Sequence, residues 1–219
     1  MNRLAIFDCD GTLVDSQLNI CRAMEQCFVS ARLDPPAREA TRRVVGLSLP
    51  EAMRALLPDA EDSFHRLMAE EYRRAFLRLR QDGMEEGPLY DGVPELLEAF
   101  EDSGWLLGVA TGKSDRGLRR CLEAHGIAAR FVTLQTADRH PSKPHPSMIE
   151  AALGEAGAAA ESSVMIGDTS YDMAMARAAG VRAVGVAWGY HAPAELLEAG
   201  ADCVAREPPE ILQLTKVVA

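Results

Sequence analysis

Four short stretches hold the residues best suited to chemistry. The first is LAIFDCDGTLVDS, residues 4–16, where an apolar run ends in Asp8 and Asp10 with one residue between them. In extended chain, side chains two apart point the same way, roughly 7 Å apart, so both acids can address one ligand while Cys9 turns away. Two carboxylates in one pocket suit nucleophilic attack combined with acid–base work. A plain Asp-Gly turn is the simpler reading of this segment, but it leaves the other three stretches unexplained. These are Thr111-Gly112-Lys113-Ser114 after a second apolar run, Lys143 in SKPHP, and Asp168 in IGDTSYDMA with Asp172 four residues on. Residues four apart share a helix face, so Asp172 faces the same way as Asp168. Carboxylates gathered in this way repel each other and any phosphate. They require a cation, and a hard all-oxygen site implies Mg²⁺.

The elements that must position these residues are legible from apolar runs and helix ends. Runs at 3–8, 105–110, 131–135, 163–167, 183–187 and, weakly, 202–205 lack strict alternation, which suits strands of a parallel sheet covered on both faces. Between the later runs lie helices opened by Pro94, Ser114, Pro146 and Asp168-Thr169, and followed by Gly104, Gly126, Gly157 and Gly180. Strand–helix alternation from residue 88 onward predicts a doubly wound α/β core. Ligands of such cores sit outside the carboxyl ends of the strands, which is where the four stretches fall. Residues 16–84 differ. They read as helices at about 16–32, 37–45, 49–57 and 62–82, inserted between the first and second strands, with 83–92 as the return linker. The Ala-rich GEAGAAAES, residues 154–162, is expected to be a helix end and a loop.

In their order along the chain, DCDGTLVDS, ATGKS, SKPHP and GDTSYDMAMARAAG resemble the four motifs of the haloacid dehalogenase-like phosphohydrolase superfamily, most of all its phosphoglycolate phosphatase-like branch. The likeness runs from Leu4 to about Tyr190. It implies a Rossmann-like core with a parallel sheet (residues 1–15 and 85–219) and an all-helical cap domain (residues 16–84) that closes to exclude water and choose the leaving group. The implied reaction is Mg²⁺-dependent hydrolysis of a small phosphate monoester. Asp8 would attack phosphorus to form an aspartyl-phosphate. Asp10 would protonate the leaving alkoxide and then take a proton from the hydrolytic water. The resemblance assigns the Asp8 carboxylate, the Asp10 backbone carbonyl and the Asp168 carboxylate to Mg²⁺. Asp172 would support the site through water or Lys143. Thr111 and the backbone N–H of Gly112 would bind the phosphate, and Lys143 would neutralise nucleophile and phosphate. Many relatives carry Asn where this chain has Gly112, so a side-chain amide is missing here. Lys113 receives no role, because Thr111 fills the expected one.

2-Phosphoglycolate is the first substrate this likeness suggests, with pyrophosphate, sugar phosphates and nucleotides as rivals. A mutase of the superfamily usually offers a His soon after the first motif, and VDSQLNICRAMEQCF contains none. A dehalogenase would typically lack the second aspartate, and Asp10 is present. A phosphonate hydrolase would need a cap lysine, but no Lys precedes Lys113. A non-catalytic relative would have lost one of Asp8, Asp10, Lys143 or Asp168. A P-loop is excluded in GVATGKS, because only three residues separate Gly108 from Gly112 and Leu107 stands where the first Gly is needed. Arg42 and Arg43 read as a solvated helix face, with a substrate carboxylate as the alternative partner.

Composition limits the partners. The net charge of -10, from 23 basic and 33 acidic residues, disfavours nucleic acid and anionic membranes. Five scattered cysteines without a C-x-x-C pair fit a reduced compartment, the cytoplasm, as small buried residues. No run approaches the roughly 20 apolar residues of a membrane span, and LAIF is too short for a signal sequence. The expected partner is a small phosphorylated metabolite, bound by a monomer or homodimer.

Overall fold

The computed structural model describes residues 2–215. Six parallel strands form one sheet in the order β3-β2-β1-β4-β5-β6: β1 (Asn2–Phe7), β2 (Trp105–Thr111), β3 (Phe131–Thr136), β4 (Ala158–Gly167), β5 (Arg182–Val186) and β6 (Cys203–Ala205). The unbroken apolar run of β1 follows from burial on both faces. Ala5 and Phe7 pack into one cluster with α5 (Val93–Asp102), α6 (Asp115–Ala124) and α10 (Pro208–Thr215). Leu4 and Ile6 pack into the other, with α7 (Ser147–Ala156), α8 (Ser170–Ala178) and α9 (Pro193–Glu198). Burying Leu4, Ile6 and Phe7 contributes about 1.5–3 kcal/mol each, which anchors the central strand on both faces. The strand order reverses between β1 and β4, and that crevice is where an open α/β sheet takes its ligand.

The helix ends follow the expected chemistry. Ser114 Oγ accepts from Gly117 N at 3.1 Å and caps α6. Gly157 closes α7 with a φ of 59°. One expectation fails. Residues 158–162 are not a loop but the first half of β4, with Ala158 opposite Asn2 and a register shift before Leu4. Alanines give no side-chain pattern to read. What holds them is the edge chemistry of Ser162, whose hydroxyl donates to Asn2 O at 2.9 Å and to Ala159 O at 3.1 Å. The helices α9 and α10 were also not anticipated.

Between β1 and β2 lie α1 (Gln17–Ser30), α2 (Arg38–Arg43), α3 (Leu49–Leu56) and α4 (Asp62–Gln81). They bury a cluster of their own, built on Met24, Phe28, Met53, Met68 and Tyr72. The stretch between α2 and α3 rests on the strand ends of the core. Arg43 Nη1 donates to both carboxylate oxygens of Glu195, at 2.6 and 2.7 Å. Tyr171 donates to Arg43 O at 3.1 Å, and Ser48 N donates to Ser142 Oγ at 2.8 Å. Arg43 therefore ties the helices to the core, and neither it nor Arg42 lines the cavity below.

Candidate active site

The backbone of Asp8 continues β1 for one more residue, donating to Ile166 O of β4 at 2.9 Å. This extension aims the Asp8 side chain into the crevice, where it is fully buried. Cys9 turns the other way and meets Cys121 of α6, Sγ to Sγ at 4.0 Å, inside the core. The chain then bends at Gly11, whose φ of 88° suits glycine. A Cβ at that position would collide with the Asp168 carboxylate and the Tyr190 ring.

Asp168 ends β4 and faces Asp8 across the switch point. Its Oδ1 accepts from Thr12 Oγ1 at 2.9 Å and its Oδ2 from Tyr190 N at 2.9 Å. It does not cap α8. Thr169 does, in a reciprocal box with Asp172, whose Oδ2 accepts from Thr169 N and Oγ1 at 3.1 and 2.7 Å. The other oxygen of Asp172 accepts from Lys143 Nζ at 2.5 Å. So Asp172 is no solvated helix residue. It is buried between Thr169 and Lys143.

Lys143 is fully buried, with Nζ 2.9 Å from Asp8 Oδ1. The ammonium is the one side-chain cation on Asp8 among the described residues, and the Oδ2 of Asp8 has no donor there. Burial pushes the Asp8 carboxyl up to about 6, against the pull of Lys143. Burial raises Asp168 well above the carboxylate range too, helped by Asp8 and Asp172. For Lys143, burial alone would lower the pKa, but Asp172 and Asp8 together outweigh it and hold the ammonium charged.

One oxygen each of Asp8, Asp168 and Asp172 lies within 4.8 Å of the others. Three buried carboxylates, with the Oδ2 of Asp8 lacking a donor among the described residues, form an all-oxygen set that fits a hard divalent cation. Asp10 stands apart from this trio. Its Oδ1 is engaged by the Ser16 hydroxyl and by Lys113 Nζ, the latter at 2.8 Å. Lys113 is thus the residue that the sequence reading passed over. Burial by itself would lower its pKa, but Asp10, with the neighbouring thiols of Cys9 and Cys121, outweighs it and keeps the ammonium protonated. The available signal was scarcity: the chain has only three lysines, and two of them stand in the motifs.

Thr111 is buried at the end of β2, its Oγ1 accepting from Lys113 N at 3.3 Å, so its own proton is free for a ligand. At Gly112 a Cβ would come within 2.6 Å of Leu47 O and 2.7 Å of Gly46 O. The missing side chain is what lets the α2–α3 stretch sit directly over the end of β2. Asp8, Asp10, Thr111, Gly112 and Lys113 all line one cavity of about 550 Å³, walled on the far side by α1, α3 and α4.

The comparisons agree with this architecture. Residues 5–186 match the family model described as "Haloacid dehalogenase-like hydrolase". The "Probable phosphatase IndB" of Dickeya dadantii is 35% identical over 201 residues, covering 90% of this chain and 86% of its own. A phosphoglycolate phosphatase of Pseudomonas fluorescens is 30% identical, covering 86% of this chain and 71% of its own. The crystal structure of a hydrolase from Pseudomonas syringae superposes over the whole of both chains with a TM-score of 0.86 at 26% identity. With the acids at the switch point, the buried lysine and a match spanning all four motifs, the chain belongs to the haloacid dehalogenase-like hydrolases.

Proposed function

We propose that this phosphatase is Mg²⁺-dependent and hydrolyses a small phosphate monoester through an aspartyl-phosphate on Asp8, with 2-phosphoglycolate the first substrate to test. The observation that carries the reading is the Asp8 carboxylate: fully buried, lining the cavity, and paired with a single group, the Lys143 ammonium, 2.9 Å from its Oδ1. A carboxylate with one oxygen on a cation and the other without a donor among the described residues keeps an oxygen available to attack. Asp8 and Asp168 would hold Mg²⁺ with the Asp10 carbonyl, and Asp172 would brace Lys143 beside them. Mg²⁺ supplies charge neutralisation, letting a phosphate dianion approach a carboxylate.

The chain's own residues do the rest. Asp8 attacks phosphorus in line, and the P–O bond to the leaving group breaks. Asp10 gives the departing alkoxide its proton. Lys113 and Ser16 fix the Asp10 carboxyl for that transfer. Asp10 then takes a proton from water, which attacks the phosphorus of the intermediate and restores Asp8. Thr111 and Lys143 hold the phosphate oxygens and offset their charge. The helices of residues 16–84 act as a cap, with the α2–α3 stretch keeping water from the reacting end.

Purified protein should hydrolyse p-nitrophenyl phosphate with Mg²⁺ and stop when EDTA is added. Persistent hydrolysis in excess EDTA would rule out the metal dependence. A second readout needs no turnover. A carboxyl raised to about 6 means that the folded chain holds its proton better than the unfolded one. This stabilising contribution is complete below the unfolded value of about 4 and is lost as the pH climbs through about 6. The metal-free protein is therefore penalised above that window, where the carboxylates are ionised and ready for metal. Mg²⁺ should raise Tm clearly at pH 8 and much less at pH 5. An equal rise at both values would contradict the assignment of these carboxylates to the cation.

A further inference from the structure

We propose that Tyr72, Phe76 and Arg80 of α4 form a platform for a flat, ring-bearing leaving group, so that the preferred substrate is a ring-bearing phosphate monoester rather than a two-carbon phospho-acid. This rests on the phosphatase reading and names the substrate class of the same site. The three residues are spaced four apart, so they share one helix face, and all three line the cavity that contains Asp8 and Asp10. At 1.5 Å per residue the stripe extends about 12 Å, the length of a fused or linked ring system.

The stripe is a run of touching side chains. The rings of Tyr72 and Phe76 lie 6.0 Å apart at 44°. The Arg80 guanidinium sits 4.7 Å from the centre of the Phe76 ring, within cation–π range, and is also paired with Glu86. Tyr72 is buried in the core of the inserted helices and reaches the cavity from there. Met24, Val44 and Leu49 add apolar lining to the same cavity.

A two-carbon acid would fill only the reacting end of about 550 Å³ and leave water against this apolar lining. Its carboxylate would also find few free cations. Of the lining arginines and lysines, Arg73 is paired with Glu70, Arg80 with Glu86 and Lys113 with Asp10, while Arg116 is exposed. A ring set against the Phe76 side chain and the apolar lining around it buries apolar area and needs no counter-ion. Stacking of this kind changes binding by about tenfold.

The test is kcat/KM with Mg²⁺ for phenyl phosphate, a nucleoside 5′-monophosphate, glycerol phosphate and 2-phosphoglycolate, in the wild type, Phe76→Leu and Phe76→Tyr. Both ring-bearing esters should exceed 2-phosphoglycolate by about tenfold. Phe76→Leu, which keeps apolar bulk and a good helix former, should lower the ratio of ring-bearing ester to glycerol phosphate by a similar factor through KM. Phe76→Tyr, which keeps a ring face, should hold that ratio. A wild type that prefers 2-phosphoglycolate, or a ratio indifferent to Phe76→Leu, overturns the platform and leaves the phosphatase reading standing. Failure to hydrolyse any of the four monoesters overturns both.

Discussion

Asp8→Asn should lower kcat by roughly 10⁴-fold or more, on the scale seen when an enzyme loses its nucleophile, while the fold and melting temperature hold. An amide oxygen cannot carry the phosphoryl group as a carboxylate does, so no covalent intermediate forms. The change is isosteric, and the side-chain contact it alters is the ion pair with Lys143 at 2.9 Å, where the amide oxygen still accepts. At neutral pH it also removes a buried charge that burial already disfavours, with the carboxyl raised to about 6. Lys143 keeps Asp172 as its partner at 2.5 Å. Turnover with Mg²⁺ and a thermal melt of the same sample check both halves. Wild-type activity in the variant would remove Asp8 from the mechanism.

Lys143→Ala should be costly in a different way, losing both turnover and about 3–5 kcal/mol of stability. The ammonium is fully buried between two carboxylates, and its removal leaves Asp8 and Asp172 facing each other without a cation. Breaking one side of a buried ion pair costs more than the pair itself contributes, because the remaining charge stays desolvated. The loss should shrink as pH falls from 8 to 5, since protonation of Asp8 relieves the repulsion. Denaturant unfolding at the two pH values in EDTA measures this. A destabilisation that grows toward pH 5 would mean that the lysine is not there to hold ionised carboxylates.

Most of this site could be read from the chain before any coordinates. β1 is apolar on both faces, so its run is continuous and its end is marked by the change to Asp8. Asp168 and Lys143 stand out in the sequence because each follows a strand end or a loop with a distinct residue pattern, and the fold brings both beside Asp8. What escaped reading depends on groups far apart in sequence. Lys113 matters because its ammonium reaches Asp10, which is 103 positions before it, 113 less 10. Gly112 looked like a missing amide; its value lies in the room it gives the carbonyls of Gly46 and Leu47. The start of β4 was missed because alanine has no alternation to display, and its pairing with Asn2 is a backbone matter. Arg43 was read as solvated because nothing near it in sequence announces Glu195.

The central claim is the covalent step on Asp8, and Asp10→Asn offers the means to catch it. p-Nitrophenolate is an acidic phenol that leaves without a donated proton, so the first step survives loss of the acid. The second step loses the base that activates water and should stall. Rapid mixing of Asp10→Asn with p-nitrophenyl phosphate and Mg²⁺, acid quench, borohydride reduction and peptide mass mapping would locate any acyl phosphate. The account predicts a burst of about one p-nitrophenolate per chain, with the reduced acyl phosphate at Asp8. No burst and an unmodified Asp8, or a phosphoryl group on another residue, would contradict it.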